Sequence, residues 1–101
     1  MKERGESRVV TTLEAEVSRE NWEALQKAYK ELGAESKIRP SQSFLLQSKE
    51  NPNLWRIISI WEDMGTLQKL RESGETPAGI LIFRAAGGEP KLEVFEAKEE
   101  F

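Results

Sequence analysis

"LWRIISIWEDMGTLQKLRES", residues 54–73, decides how this chain folds. Its first half alternates. Trp55, Ile57, Ser59 and Trp61 fall on one face of an extended segment, and Leu54, Arg56, Ile58, Ile60 and Glu62 on the other. A period of two rich in isoleucine predicts a strand over 54–62. Both of its faces are largely apolar, so both need cover. The period then changes. Asp63 is a plausible cap, Met64, Leu67 and Leu70 point inward at helical spacing, and Gly74 stops a helix of about 64–73.

Working outward, "RVVTTLEAEV" (8–17) sets Val9, Thr11, Leu13, Ala15 and Val17 against Val10, Thr12, Glu14 and Glu16, a second strand pattern. Ser18 then reads as an N-cap, with Glu20 in the first turn of a helix over 19–32. Its apolar stripe is Trp22, Leu25, Tyr29 and Leu32, and Gly33 follows as its stop. "SQSFLLQS" (41–48) is a strand joined to 54–62 by the turn "KENPN", which predicts an antiparallel hairpin. "ETPAGILIFRAAGGEP" is ambiguous: its Ile and Phe content says strand, while Thr76, Pro77 and Gly87–Gly88 punctuate a helix over 77–86. The helix is preferred. "KLEVFEA" (91–97) is the last strand.

The order β-α-β-β-α-(α)-β makes an α+β, ferredoxin-like domain over 8–98, with frayed ends at 1–7 and 99–101. A four-stranded antiparallel sheet of this kind carries its helices on one face. The other face is apolar here, so the expected partner is a second copy, a homodimer through the sheet faces.

Composition narrows the chemistry. The 101 residues are 38% hydrophobic and 33% charged, with a net charge of −3. Lysine and arginine are scattered and form no basic stripe, so no nucleic acid partner is expected. "GILIF" is far too short to span a bilayer and "MKERGESR" lacks a signal peptide's apolar region, so neither membrane nor secretion is expected and the expected location is the cytoplasm. The chain holds no Cys and no His. That excludes thiolate nucleophiles, cysteine-ligated metals, serine–histidine triads and imidazole ligation. No metal and no cofactor is expected. Proton handling falls to Asp, Glu, Lys and the single Tyr29.

With these elements in place, the chain resembles the antibiotic biosynthesis monooxygenase family of the dimeric α/β-barrel superfamily. The residues that carry the likeness are "RVVTTLEAEVSRENWEALQKAY", "NPNLWRIISIWED", "MGTLQKLRES" and "TPAGILIFRAAGGEPKLEVFE". The resemblance implies a cofactor-independent monooxygenase acting on a small quinol- or anthrone-like aromatic substrate with dioxygen. Its alternative is a non-catalytic small-molecule-binding or dimerisation module of the same fold, or a proton-transfer enzyme built on it. The haem-degrading branch would imply an Asn on the first strand, a Trp ending the third and a His on the next helix. Trp61 fits, but Thr11 or Thr12 stands at the first position and Leu70 or Arg71 at the last. Neither haem degradation nor tight haem binding is expected.

Within this frame Trp61, at the hand-over from strand to helix, is expected to border a pocket between sheet and helices, or else to be ordinary core. Thr12, Glu14 and Ser59 are the candidate polar contacts. Thr12 and Glu14 share a strand face; if it looks at the helices, Glu14 is a half-buried carboxylate, and desolvation makes it the candidate catalytic base. Ser59 could bond a ligand or the backbone. Arg84, in an apolar segment, could bind an anionic or phenolate oxygen or simply snorkel to water. Trp22 and Tyr29 read as core, and Trp55 as part of either the dimer core or the pocket.

Overall fold

The structure is a computed structural model that describes residues 7–101. The frayed start expected over 1–7 lies, but for Ser7, outside the described residues. The chain runs through β1 (Val9–Glu16), a single 3-10 turn (Arg19–Asn21), α1 (Trp22–Glu35), β2 (Gln42–Gln47) and β3 (Leu54–Trp61). It continues through α2 (Met64–Glu72), α3 (Ala78–Ala85) and β4 (Lys91–Glu96). The strands form one antiparallel sheet in the order β2-β3-β1-β4, the ferredoxin-like arrangement expected from the order of elements. β1 and β3 are central, and their register pairs Val9 with Trp61 and Glu16 with Leu54.

All the helices lie over one face. On that face Leu13, Ala15, Trp55 and Ile57 of the sheet meet Leu25 and Ala28 of α1 and Ile82, Phe83 and Ala86 from α3 and its end. A smaller cluster, Val9, Trp61, Leu67 and Leu70, fixes α2 near the start of β1. The helical reading of residues 77–86 holds because Ile82, Phe83 and Ala86 recur at helical spacing and are nearly inaccessible. Pro77 stands just before this helix, and its carbonyl accepts the N–H groups of Ile80 and Leu81 at 3.1 and 3.3 Å.

Some local expectations need correction. Gly33 does not stop α1, which continues to Glu35. Gly33 keeps a negative φ, while Leu32 packs against the core and carries the helix through. Among the described residues Gly74 and Gly87 are the glycines with positive φ, 80° and 79°, and they follow α2 and α3 as terminators. Ser18 makes no side-chain cap; its carbonyl accepts the Asn21 N–H at 2.8 Å and starts a 3-10 turn. Asp63 does cap α2, its Oδ1 accepting the Thr66 N–H at 3.0 Å. Met64 points away from the core and is exposed, since it opens the helix before the inward stripe of Leu67 and Leu70 begins.

The other sheet face carries no helix among the described residues. Register places Phe44 beside Ile58, and Val10 between Ile60 and Phe95. Phe44, Leu46 and Phe95 are 45%, 42% and 46% exposed. They form an apolar patch with Val10, Ile58 and Ile60 on a face that also carries the charged Glu14, Arg56, Lys91 and Glu93.

Candidate functional site

Alternation along β1, β2 and β3 brings Thr11, Ser43 and Ser59 into one row across three adjacent strands, on the helix-covered face. This row crosses an otherwise apolar floor. Above it, between the sheet, the C-terminal half of α1, the 36–41 connector, α2 and the approach to α3, lies a cavity of about 460 Å³. Leu13, Ile57, Leu67, Leu70, Ile80 and Ile82 supply much of its wall. That size and lining are typical of small-molecule sites.

The polar groups on the floor are held in place. The Trp61 indole Nε1 donates to Thr11 Oγ1 at 3.0 Å, and both residues are buried. This bond fixes the ring where β3 hands over to α2. It occupies the Thr11 oxygen as an acceptor and leaves its O–H free to donate. The Tyr29 hydroxyl, reaching down from α1, donates to Ser43 Oγ at 2.9 Å. Ser59, 9% exposed, presents a hydroxyl that bonds to nothing else among the described residues. The hydroxyls of Thr11, Ser43 and Ser59 therefore face an apolar space with a donor each to spare, which suits them to orienting a polar ligand atom.

The mouth has a different character. Lys30, Arg39 and Arg71 line it, and among the described residues no carboxylate does. The Arg39 Nε and Nη2 donate to the carbonyls of Ser36 and Ala34 at 3.0 and 2.6 Å, which pins that guanidinium to the connector. Among the described residues no three His, Cys, Asp or Glu side chains gather as a metal site.

The sequence-based candidates divide by face. Trp61 and Ser59 line the cavity. Thr12 and Glu14 do not. They are one residue out of phase with Thr11 and Leu13, so they stand on the open face, Thr12 opposite Ile58 and Glu14 opposite Arg56. Glu14 is exposed to solvent on its side chain and forms an ion pair with Arg56. It cannot be the base of this cavity. Arg84 is also remote. It sits on the outer side of α3, paired with Glu89 at 3.2 Å. Trp55 is buried but belongs to the core rather than the cavity, edge-on to Trp22 with ring centroids 6.0 Å apart. Its Nε1 is buried without a partner among the described residues.

Sequence reading missed Thr11, Tyr29, Ser43 and the cations of the mouth. For Thr11 the signal was present, because it alternates in step with Val9 and Leu13. For Lys30, Arg39 and Arg71 there was none, since they come together only through the fold.

No family model and no curated protein matches the chain. Solved structures do. A candidate antibiotic biosynthesis monooxygenase from Caulobacter crescentus superposes with a TM-score of 0.66 at 19% identity, over 93% of this chain and 92% of that one. One from Deinococcus radiodurans gives 0.69 at 13% identity, over 92% and 95%. The chain has the fold of the antibiotic biosynthesis monooxygenase-like proteins. A further structure of this fold, SnoaB, a cofactor-independent oxygenase from Streptomyces nogalater, gives a TM-score of 0.65 at 15% identity, over 93% and 96%. At such identities the likeness is one of fold, and a fold of this kind hosts several chemistries. The chemistry has to be argued from the cavity.

Proposed function

We propose that this protein is a member of the antibiotic biosynthesis monooxygenase-like family and acts as a cofactor-independent monooxygenase on a small aromatic, quinol- or anthrone-like molecule. The observation that carries this is the apolar cavity floored by Trp61 and the Ser43–Ser59–Thr11 row of hydroxyls. The fold shared with a cofactor-independent oxygenase supports it. A flat ring system lies against the apolar wall, with one oxygen on the hydroxyls of Ser59 and Thr11. In an anthrone-like substrate the ring CH2 loses a proton, and the resulting carbanion is stabilised as its enolate by those donors. The carbanion combines with dioxygen, and loss of water leaves a carbonyl in place of the CH2. One oxygen atom thus enters the product and the other leaves as water. The dry wall favours the ring system, and the fixed donors favour the enolate over its neutral parent.

A second reading, a small-molecule-binding module without catalysis, is favoured by one observation: among the described residues no carboxylate lines the cavity. Oxygen uptake with a panel of quinols and anthrones separates the two. The enzyme reading expects uptake above the uncatalysed rate, reduced by Ser59→Ala. Binding of the panel without accelerated uptake leaves the module.

Pairing of two copies through the open sheet face is part of the proposal. It is supported by the exposed Phe44, Leu46 and Phe95 on that face.

A further inference from the structure

The charge at the cavity mouth runs against the charge of the chain. The net charge is −3, yet Lys30, Arg39 and Arg71 line the cavity and, among the described residues, no Asp or Glu does. The described ion pairs use Arg8, Arg56, Arg84 and Lys98, so none of them neutralises a cation of the mouth. Arg39 gives hydrogen bonds to backbone carbonyls, which hold it without cancelling its charge. Three elements contribute these cations: α1, the connector and α2. A cleft lined by one sign of charge beside a low-dielectric wall concentrates ions of the opposite sign.

We infer that the ligand of this cavity is an anionic amphiphile, an aromatic ring body carrying a carboxylate, with the rings against the apolar wall and the carboxylate at Lys30, Arg39 and Arg71. This rests on the reading of the cavity as an aromatic-binding site and adds the charge. The arrangement orients the ligand as well as attracting it. The rings cannot lie at the wet mouth without leaving apolar surface in water, and the carboxylate cannot enter the apolar end without losing hydration. Arginine also matches a carboxylate with paired N–H donors, which a neutral amide cannot exploit.

The test uses two fluorescent probes of equal shape, anthracene-2-carboxylate and anthracene-2-carboxamide, titrated into the full chain at neutral pH. The cations are exposed, so each contributes modestly, and the carboxylate is expected to bind about tenfold more tightly at low salt. Added salt should shrink that ratio. Arg71→Gln and Lys30→Gln should each lower it, whereas Lys69→Gln, which removes a charge from α2 outside the cavity, should leave it unchanged. Equal binding of the two probes would overturn the charge inference while leaving the aromatic-binding site intact. A preference that survives both cavity substitutions, or falls equally with K69Q, would overturn it too. Failure of both probes to bind would remove the site and this inference together.

Discussion

Thr11→Val tests which face of β1 belongs to the site. The substitution preserves shape and removes one hydroxyl. In the structure that hydroxyl accepts the Trp61 Nε1 hydrogen bond at 3.0 Å, with Thr11 8% and Trp61 6% exposed. Losing the acceptor leaves a buried indole N–H unpaired, which costs about 1–3 kcal/mol. The adjoining cavity can admit water to the N–H, which places the expected loss near about 1 kcal/mol, the lower end of that range. For a chain of this size that is a fall in Tm of about 4–8 °C. The matched control is Thr12→Val. Thr12 lies on the open face opposite Ile58 and its hydroxyl bonds to nothing among the described residues, so the change is expected within about 0.5 kcal/mol of neutral. Urea unfolding followed by circular dichroism, at one fixed protein concentration, compares the two, with equal slopes required for a valid comparison. If T12V costs as much as T11V, or more, the face assignment is wrong and the site built on it fails.

Phe83→Ala should be among the most damaging single changes, at about 3–5 kcal/mol, because the ring is fully buried between α1 and the sheet; thermal unfolding reads it directly. Glu14→Gln should change stability by no more than about 1 kcal/mol, since its pair with Arg56 is well exposed on both sides. It should leave ligand titrations unaltered, and weakened binding would return Glu14 to the site. Light scattering behind size exclusion should give the mass of two chains at micromolar concentration, and Phe44→Glu on the open face should reduce it to one. A one-chain mass for the unaltered protein would refute sheet-face pairing.

Much of the fold was legible because each element carries its own period and punctuation. The switch at Asp63 from alternation to helical spacing marks the β3–α2 junction, and the cap observed there is the one the sequence implies. The ambiguous 77–86 segment resolved as a helix, with Pro77 rather than Thr76 at its N-cap. The site was less legible, and β1 shows why. In β1 the deciding signal was present: Thr11 falls in phase with the apolar Val9, Leu13, Ala15 and Val17, and Thr12 in phase with Glu14 and Glu16. It was blurred by β3, whose outer face carries Leu54, Ile58 and Ile60 and so reads as apolar as its inner one. Glu14 was assigned a pocket role against the parity of its own strand, and a shift of one residue moves a side chain to the opposite face of a sheet. The cations of the mouth were illegible for another reason. Lys30, Arg39 and Arg71 stand on separate elements, and no local pattern in the sequence joins them.

Moving Glu14 to the outer face changes the chemistry that the cavity can support. A carboxylate base inside would take the substrate proton itself, and a substrate of ordinary acidity would suffice. With hydroxyls on the floor and cations at the mouth, the protein holds donors and positive charge, which stabilise an anion once formed. The proton must then leave through the open mouth to water, and the substrate must be acidic enough to ionise when its anion is held by those donors. Rate should therefore follow substrate acidity across a series of substituted anthrones, rising with electron-withdrawing substituents. A base within the site would flatten that dependence, because part of the proton's affinity would be met by the protein. A flat series of rates would reinstate a protein base and require a different occupant for that role than Glu14.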